Sequence, residues 1–109
     1  MTELQGIELD ASSFDITVRG ATRPVLIEFW ATWCGTCRLL APTILRLSQE
    51  WCDRLDVFVV DVATAPEVAT KHNIMSLPTI VLFLDGREIK RIVGMRSYTH
   101  LIAELKDCL

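Results

Sequence analysis

The sequence predicts an α/β fold: a central mixed β-sheet with helices on both faces, in the order β-α-β-α-β-α-β-β-α. Two patterns carry that expectation. Short apolar runs alternate along the chain with segments of helical period, and an Asp85-Gly86 pair separates the last two runs, a strong hairpin signal. Size agrees, since 109 residues, 50% of them hydrophobic, suffice for one compact domain and not for two. No repeat, low-complexity tract or linker interrupts the chain, so residues 1–109 read as a single unit.

Taken in order, Gly6 to Leu9 reads as a short edge strand. Ser12 to Val18 reads as a short helix that opens on capping serines, with Phe14 and Val18 on one face. Pro24 precedes Val25 to Trp30, a run that is continuous rather than alternating, as in a strand covered on both faces; only Glu28 breaks it. A helix from about Thr36 to Trp51 carries Leu39, Leu40, Ile44, Leu45 and Leu47, too many apolar residues for light packing. Pro42 cannot bond the Arg38 carbonyl, which predicts a kink.

Leu55 to Val60 is a second buried strand, ending in Asp61. Pro66 to Lys71 is a short helix with proline in its first turn and a Glu67–Lys71 pair at i,i+4. Thr79 to Leu84 and Glu88 to Val93 flank the Asp85-Gly86 turn. Ser97 caps a last helix with Leu101, Ile102 and Leu105 inward. Strand–helix–strand alternation predicts parallel crossovers, the hairpin adding one antiparallel strand.

Composition excludes several classes of function. Eleven Lys and Arg against 14 Asp and Glu give a net charge of −3, and no basic block offers a nucleic-acid surface. The longest nearly apolar stretch, Ile74 to Leu84, is too short and too broken to span a bilayer. The start lacks the charged and apolar regions of a secretory signal, so a reducing, cytoplasmic location is expected.

Four cysteines remain to be explained: Cys34, Cys37, Cys52 and Cys108. In such a compartment a Cys-X-X-Cys pair points to redox chemistry or to metal binding. A structural zinc site needs about four ligands, typically in two close pairs. Here Cys52 and Cys108 are isolated and His72 and His100 lie far apart, so no metal is expected. Trp33-Cys34-Gly35-Thr36-Cys37-Arg38 sits where a buried strand hands over to a helix. The unpaired amides there stabilise a thiolate and lower its pKa. Cys34 is then the attacking thiol and Cys37, one turn in, the resolving one.

The chain resembles the thioredoxin family over nearly its whole length. The likeness rests on Ser13-Phe14-Asp15, Val25 to Ala31, Trp33-Cys34-Gly35-Thr36-Cys37, Pro42, Asp61, Leu77-Pro78-Thr79, Asp85-Gly86 and Val93-Gly94. It implies a thioredoxin-like fold and a cis bond before Pro78 beside the cysteine pair, leaving the Leu77 backbone free to pair with an extended substrate. It implies a flat apolar recognition surface made of Trp33, Gly35, Thr36, Leu77, Pro78, Val93 and Gly94, with little sequence discrimination. It implies reduction of disulfides in other proteins, with no cofactor beyond the Cys34–Cys37 disulfide. Recharging would fall to a flavoprotein thioredoxin reductase, and the chain would act as a monomer.

Two positions depart from the family. Thr36 stands where proline is usual, restoring a backbone N–H and placing a hydroxyl close to Cys34. Both favour the thiolate, which makes the couple less strongly reducing. Glu28 stands where the family buries an Asp, and the family's neighbouring Lys is matched by Val57. Without a cation, desolvation raises the carboxyl pKa, so that Glu28 is protonated at rest and exchanges a proton with Cys37 through water; the alternative is an acid snorkelling to solvent.

Plainer expectations cover the rest. Cys52 and Cys108 are small buried hydrophobes, a regulatory or intermolecular disulfide being the alternative. Trp30 packs beneath the site and Trp51 at a helix end. Both histidines are solvated, and Gly94 is a close-approach position beside the substrate. The competing functions are a thiol oxidase or isomerase, favoured by Thr36, and a partner-binding module whose apolar face outweighs electron transfer.

Overall fold

The computed structural model describes residues 7–109, so Gly6 lies outside the described residues. Five strands and four helices follow the expected order: β1 (Ile7–Glu8), α1 (Ala11–Gly20), β2 (Val25–Trp30), α2 (Gly35–Glu50), β3 (Asp56–Asp61), α3 (Pro66–Lys71), β4 (Thr79–Leu84), β5 (Arg87–Val93) and α4 (Tyr98–Lys106). The strands form one mixed sheet ordered β1-β3-β2-β4-β5.

Bounds for β2, α3 and β4 coincide with those predicted, because each is punctuated by proline or turn residues. The first helix starts earlier than its serines suggested. Asp10 is its cap, accepting from the Ser12 and Ser13 amides at 3.0 Å, while Ser13 Oγ accepts in return from the Asp10 amide at 3.0 Å. Two bonds shared between the ends of one turn hold the entry angle. Helix α2 continues through Pro42 and buries Cys37, Leu40, Ala41, Ile44 and Leu47. Leu39, expected inside, is 68% exposed.

The direction of β4 corrects the expectation of parallel crossovers. β1 and β2 both pair with β3 in parallel, but β4 runs antiparallel to β2, with Glu28 opposite Ile80 and Phe29 opposite Thr79. The connection doubles back on itself: by His72, which packs against Phe83, the chain has left the Asp61 end of the sheet, and residues 73–78 bring it back, Arg91 holding the His72 and Asn73 carbonyls at 2.7 and 3.1 Å. The chain therefore re-enters the sheet from the end it had left. That brings segments 31–34, 62–65, 76–78 and 94–97 to one end of the molecule. β5 then pairs antiparallel with β4 through Asp85 (φ 54) and Gly86 (φ 77), the doubly left-handed turn that a twisted hairpin prefers. The register slips between Leu82 and Phe83, leaving Ile89 as the extra residue on β5.

Alternation along β2 divides the core. Val25, Ile27 and Phe29 pack with Phe14 and Val18 of α1 and Val68 of α3. Leu26 packs with Leu40, Ile44 and Leu47 of α2 and Leu101 and Leu105 of α4. Ile102 is half-buried against the same cluster, as is Trp51 at the end of α2. The Glu67–Lys71 pair does not form; Lys71 reaches across to Asp15 at 3.1 Å and ties α3 to α1.

Candidate active site: the Cys34–Cys37 disulfide

Beyond Trp30 the chain tightens, the Cys34 amide donating to Ala31 O at 3.1 Å. Cys34 is the N-cap of α2, its backbone extended at φ −90 and ψ 105, and its sulfur accepts from the Cys37 amide at 3.2 Å. A helix start thus points an otherwise unpaired N–H at Cys34 Sγ, the environment that stabilises a thiolate once the pair is reduced. Thr36 Oγ1 lies 3.4 Å from the same sulfur. The hydroxyl expected from the sequence is therefore within bonding reach.

Cys34 and Cys37 are joined as a disulfide, with Cα atoms 5.3 Å apart. Cys37 is fully enclosed, while Cys34 keeps 7% of its surface. Trp30, Ala31 and Val59 pack around the pair, with Leu77 half-buried against them. Trp30 sits beneath the site as expected, its Nε1 buried without a hydrogen-bond partner. Arg38 Nη1 donates to Thr32 O at 2.5 Å and fixes the turn that carries Trp33.

Each residue expected at the recognition surface belongs to a segment at this end of the sheet. Trp33 is 70% exposed. Gly35 and Thr36 form the exposed first turn of α2. The Leu77–Pro78 bond is cis. Pro78 O accepts from the Gly94 amide at 2.8 Å, and Thr79 pairs with Val93, so the two segments expected to meet substrate are tied together. Sequence reasoning missed the apolar residues on either side of these segments. Met75 is 90% exposed and Met95 41% exposed. Both lie in loops, where no hydrophobic period says which way a side chain faces.

Glu28 is completely buried, and neither carboxyl oxygen has a hydrogen-bond partner. Its strand partner Val59 packs against the cluster that encloses Cys37. Val57, one pleat further along β3, is apolar and buried, so no cation offsets the burial. Burial alone pushes the Glu28 carboxyl up to about 8. The snorkelling alternative is set aside, since no part of this side chain reaches solvent.

Elsewhere two expectations are corrected. His72 is half-buried rather than solvated. Its ring centroid lies 5.0 Å from Phe14, 5.5 Å from Phe83 and 6.5 Å from Phe29, and Nε2 is buried without a partner. Burial first, then the neighbouring Lys71 charge, holds its pKa below the ordinary 6.5. Cys52 is exposed rather than buried, and Cys108 is half-buried. His100 is exposed as expected. Among the described residues no three His, Cys, Asp or Glu side chains gather as a metal site, and no helix is long and apolar enough to cross a membrane.

Comparison with known proteins follows the same lines. The family model described as Thioredoxin matches residues 5–107. A thioredoxin of Mycobacterium tuberculosis is 42% identical over 101 residues, covering 93% of this chain and 87% of the relative. One from Alicyclobacillus acidocaldarius is 37% identical, covering 93% and 95%. A bifunctional thioredoxin reductase/thioredoxin of Mycobacterium leprae is 41% identical across 93% of this chain, which spans 22% of that longer protein.

Proposed function

Because the chain belongs to the thioredoxin family and is a protein-disulfide oxidoreductase, we propose that Cys34 attacks and Cys37 resolves. The observation that carries this assignment is the asymmetry of the pair: Cys34 caps α2 and keeps an exposed edge, while Cys37 is sealed. In the reduced protein, the Cys34 thiolate displaces one sulfur of a target disulfide, forming a mixed disulfide and releasing a target thiolate that takes up a proton. Cys37 then attacks Cys34 Sγ. The target leaves as a dithiol, and its two electrons have come from this chain, which ends as the disulfide.

Glu28 is proposed as the proton partner of Cys37 through water. At about 8 its carboxyl lies near the ordinary thiol value of roughly 8.5, so a proton moves either way at little cost. Trp33, Gly35, Thr36, Leu77, Pro78, Val93 and Gly94 are proposed to receive an extended segment of the protein substrate. No bound cofactor is required, because the electrons reside on two sulfurs. We assign recharging to a thioredoxin reductase, a partner supported by the relative that joins both names in one chain. A monomeric single domain working in the reducing cytoplasm completes the reading.

The test is reduction of insulin disulfides. Cys34→Ser is expected to abolish turnover, and full activity in that variant overturns the assignment. The Thr36 hydroxyl favours a couple less reducing than its proline counterpart. Thr36→Pro should make the potential more negative by about 30 mV, or roughly 1.4 kcal/mol for two electrons; equal potentials defeat that claim. A wild-type couple in the range of dedicated oxidants would instead favour the oxidase or isomerase reading. A partner interaction that survives loss of both cysteines would favour the binding module.

A further inference from the structure

Arg96 lies two residues beyond Gly94 and has no part in the chemistry above. Its Nε donates to Glu104 Oε2 at 2.6 Å, and its Nη1 donates to the carbonyls of Val93 at 3.2 Å and Met95 at 3.0 Å. Those two carbonyls flank Gly94, whose φ of 92 is in the left-handed region open to glycine. A Cβ built on Gly94 would lie 3.9 Å from Arg96 Nη1, so the guanidinium sits against the glycine itself. The Gly94 amide in turn donates to Pro78 O at 2.8 Å. Glu104 is on α4, which the fully buried Leu101 and Leu105 anchor to the core. One continuous set of bonds therefore runs from α4, through Glu104 and Arg96, to the 93–95 segment and on to Pro78.

We propose that Arg96, oriented by Glu104, is a positioning residue that holds the Val93–Met95 segment as a ready-made docking edge for an extended stretch of a protein substrate. The inference rests on the substrate-binding reading above and deepens it. A segment centred on glycine has wide backbone freedom, and ordering it on binding costs affinity. The planar guanidinium fork satisfies two carbonyls while pairing with a carboxylate, which the point charge of a lysine cannot reproduce. Val93 and Met95, 49% and 41% exposed, are then presented in one arrangement before substrate arrives. Loss of the clamp acts on docking and leaves the reactivity of Cys34 alone.

The experiment compares Arg96→Gln, Arg96→Lys and Glu104→Gln in the full chain, by steady-state reduction of insulin and by iodoacetamide alkylation of Cys34. Arg96→Gln is expected to raise KM up to about tenfold with kcat and alkylation rate unchanged. Glu104→Gln should raise it less, and Arg96→Lys should restore only part of the loss. An unchanged KM overturns the proposal, as does a fall in kcat and alkylation together with the KM change. Should Arg96→Gln fail to fold, Glu104→Gln carries the same readout. If the wild type itself does not reduce insulin, the reductase reading fails separately, and the clamp is then read by hydrogen exchange at the Gly94 amide. Faster exchange in Arg96→Gln and Glu104→Gln supports it, and unchanged exchange overturns it.

Discussion

On the α2–α4 face of the sheet a fully buried side chain is an acid, Glu28; on the α1–α3 face a half-buried one is a base, His72. Both present buried atoms that no protein group bonds, and burial is the leading influence on each, raising the acid and lowering the base. Their settings differ. Glu28 has only apolar strand neighbours in Val59 and Ile80, whereas His72 lies among three phenylalanines with the Lys71–Asp15 pair beside it. The acid's strand partner Val59 packs in the cluster that encloses the disulfide, where the proposed function gives a neutral carboxyl a proton to exchange; the base packs among aromatic rings. The same physical cause thus acts in opposite directions on the two faces.

The largest expected effect sharpens that contrast on the acid's side. Between its ordinary 4.5 and about 8, Glu28 is ionised in the unfolded chain and protonated in the folded one. The folded state holds the extra proton, so stability falls as pH rises through this window and levels off above it. The loss reaches about 5 kcal/mol at most. Glu28→Gln should abolish that slope in urea melts of the oxidised protein between pH 5 and 9, and should slow insulin reduction with an altered pH profile. An identical slope in both proteins would break the contrast, and an unchanged rate profile would remove Glu28 from the chemistry.

His72 is expected to act in the opposite direction and more weakly. Its folded pKa lies below 6.5, so the unfolded chain takes the proton first and stability falls as pH drops under 6.5. His72→Gln should flatten the acid side of the profile while leaving insulin reduction at pH 7 unchanged. A rate that follows the histidine would mean the base face also serves the reaction. The smallest effect belongs to the exposed Lys71–Asp15 pair. Lys71→Ala should cost less than about 1 kcal/mol, diminishing with added salt, and a larger loss would mean that the pair holds His72 in place.

These contrasts were unevenly legible in the sequence. The bounds of β2, α3 and β4 could be read because apolar runs end at proline, aspartate or glycine, and Glu28 stood out as the one polar residue in a buried run. The reactive pair was legible because Cys34 and Cys37 straddle a strand-to-helix junction. The direction of β4 was not, since it depends on where the irregular residues 72–78 lead the chain after α3, and no hydrophobic period marks that path. Nor was the burial of His72, whose phenylalanine neighbours come from α1, β2 and β4, or the exposure of Leu39 within an apolar helix. Arg96 gave no sign at all: a charged residue beside a turn reads as solvated until Glu104, eight positions on, is placed opposite it.

In α2 the sulfur that reacts is also the atom that closes the helix. Most helices assign that duty to an oxygen that never changes its bonding, whereas Cys34 Sγ accepts the Cys37 amide and takes part in every electron transfer. The amide that meets this sulfur in the disulfide is also the one placed to hold its thiolate, so a single backbone N–H serves both oxidation states of the domain.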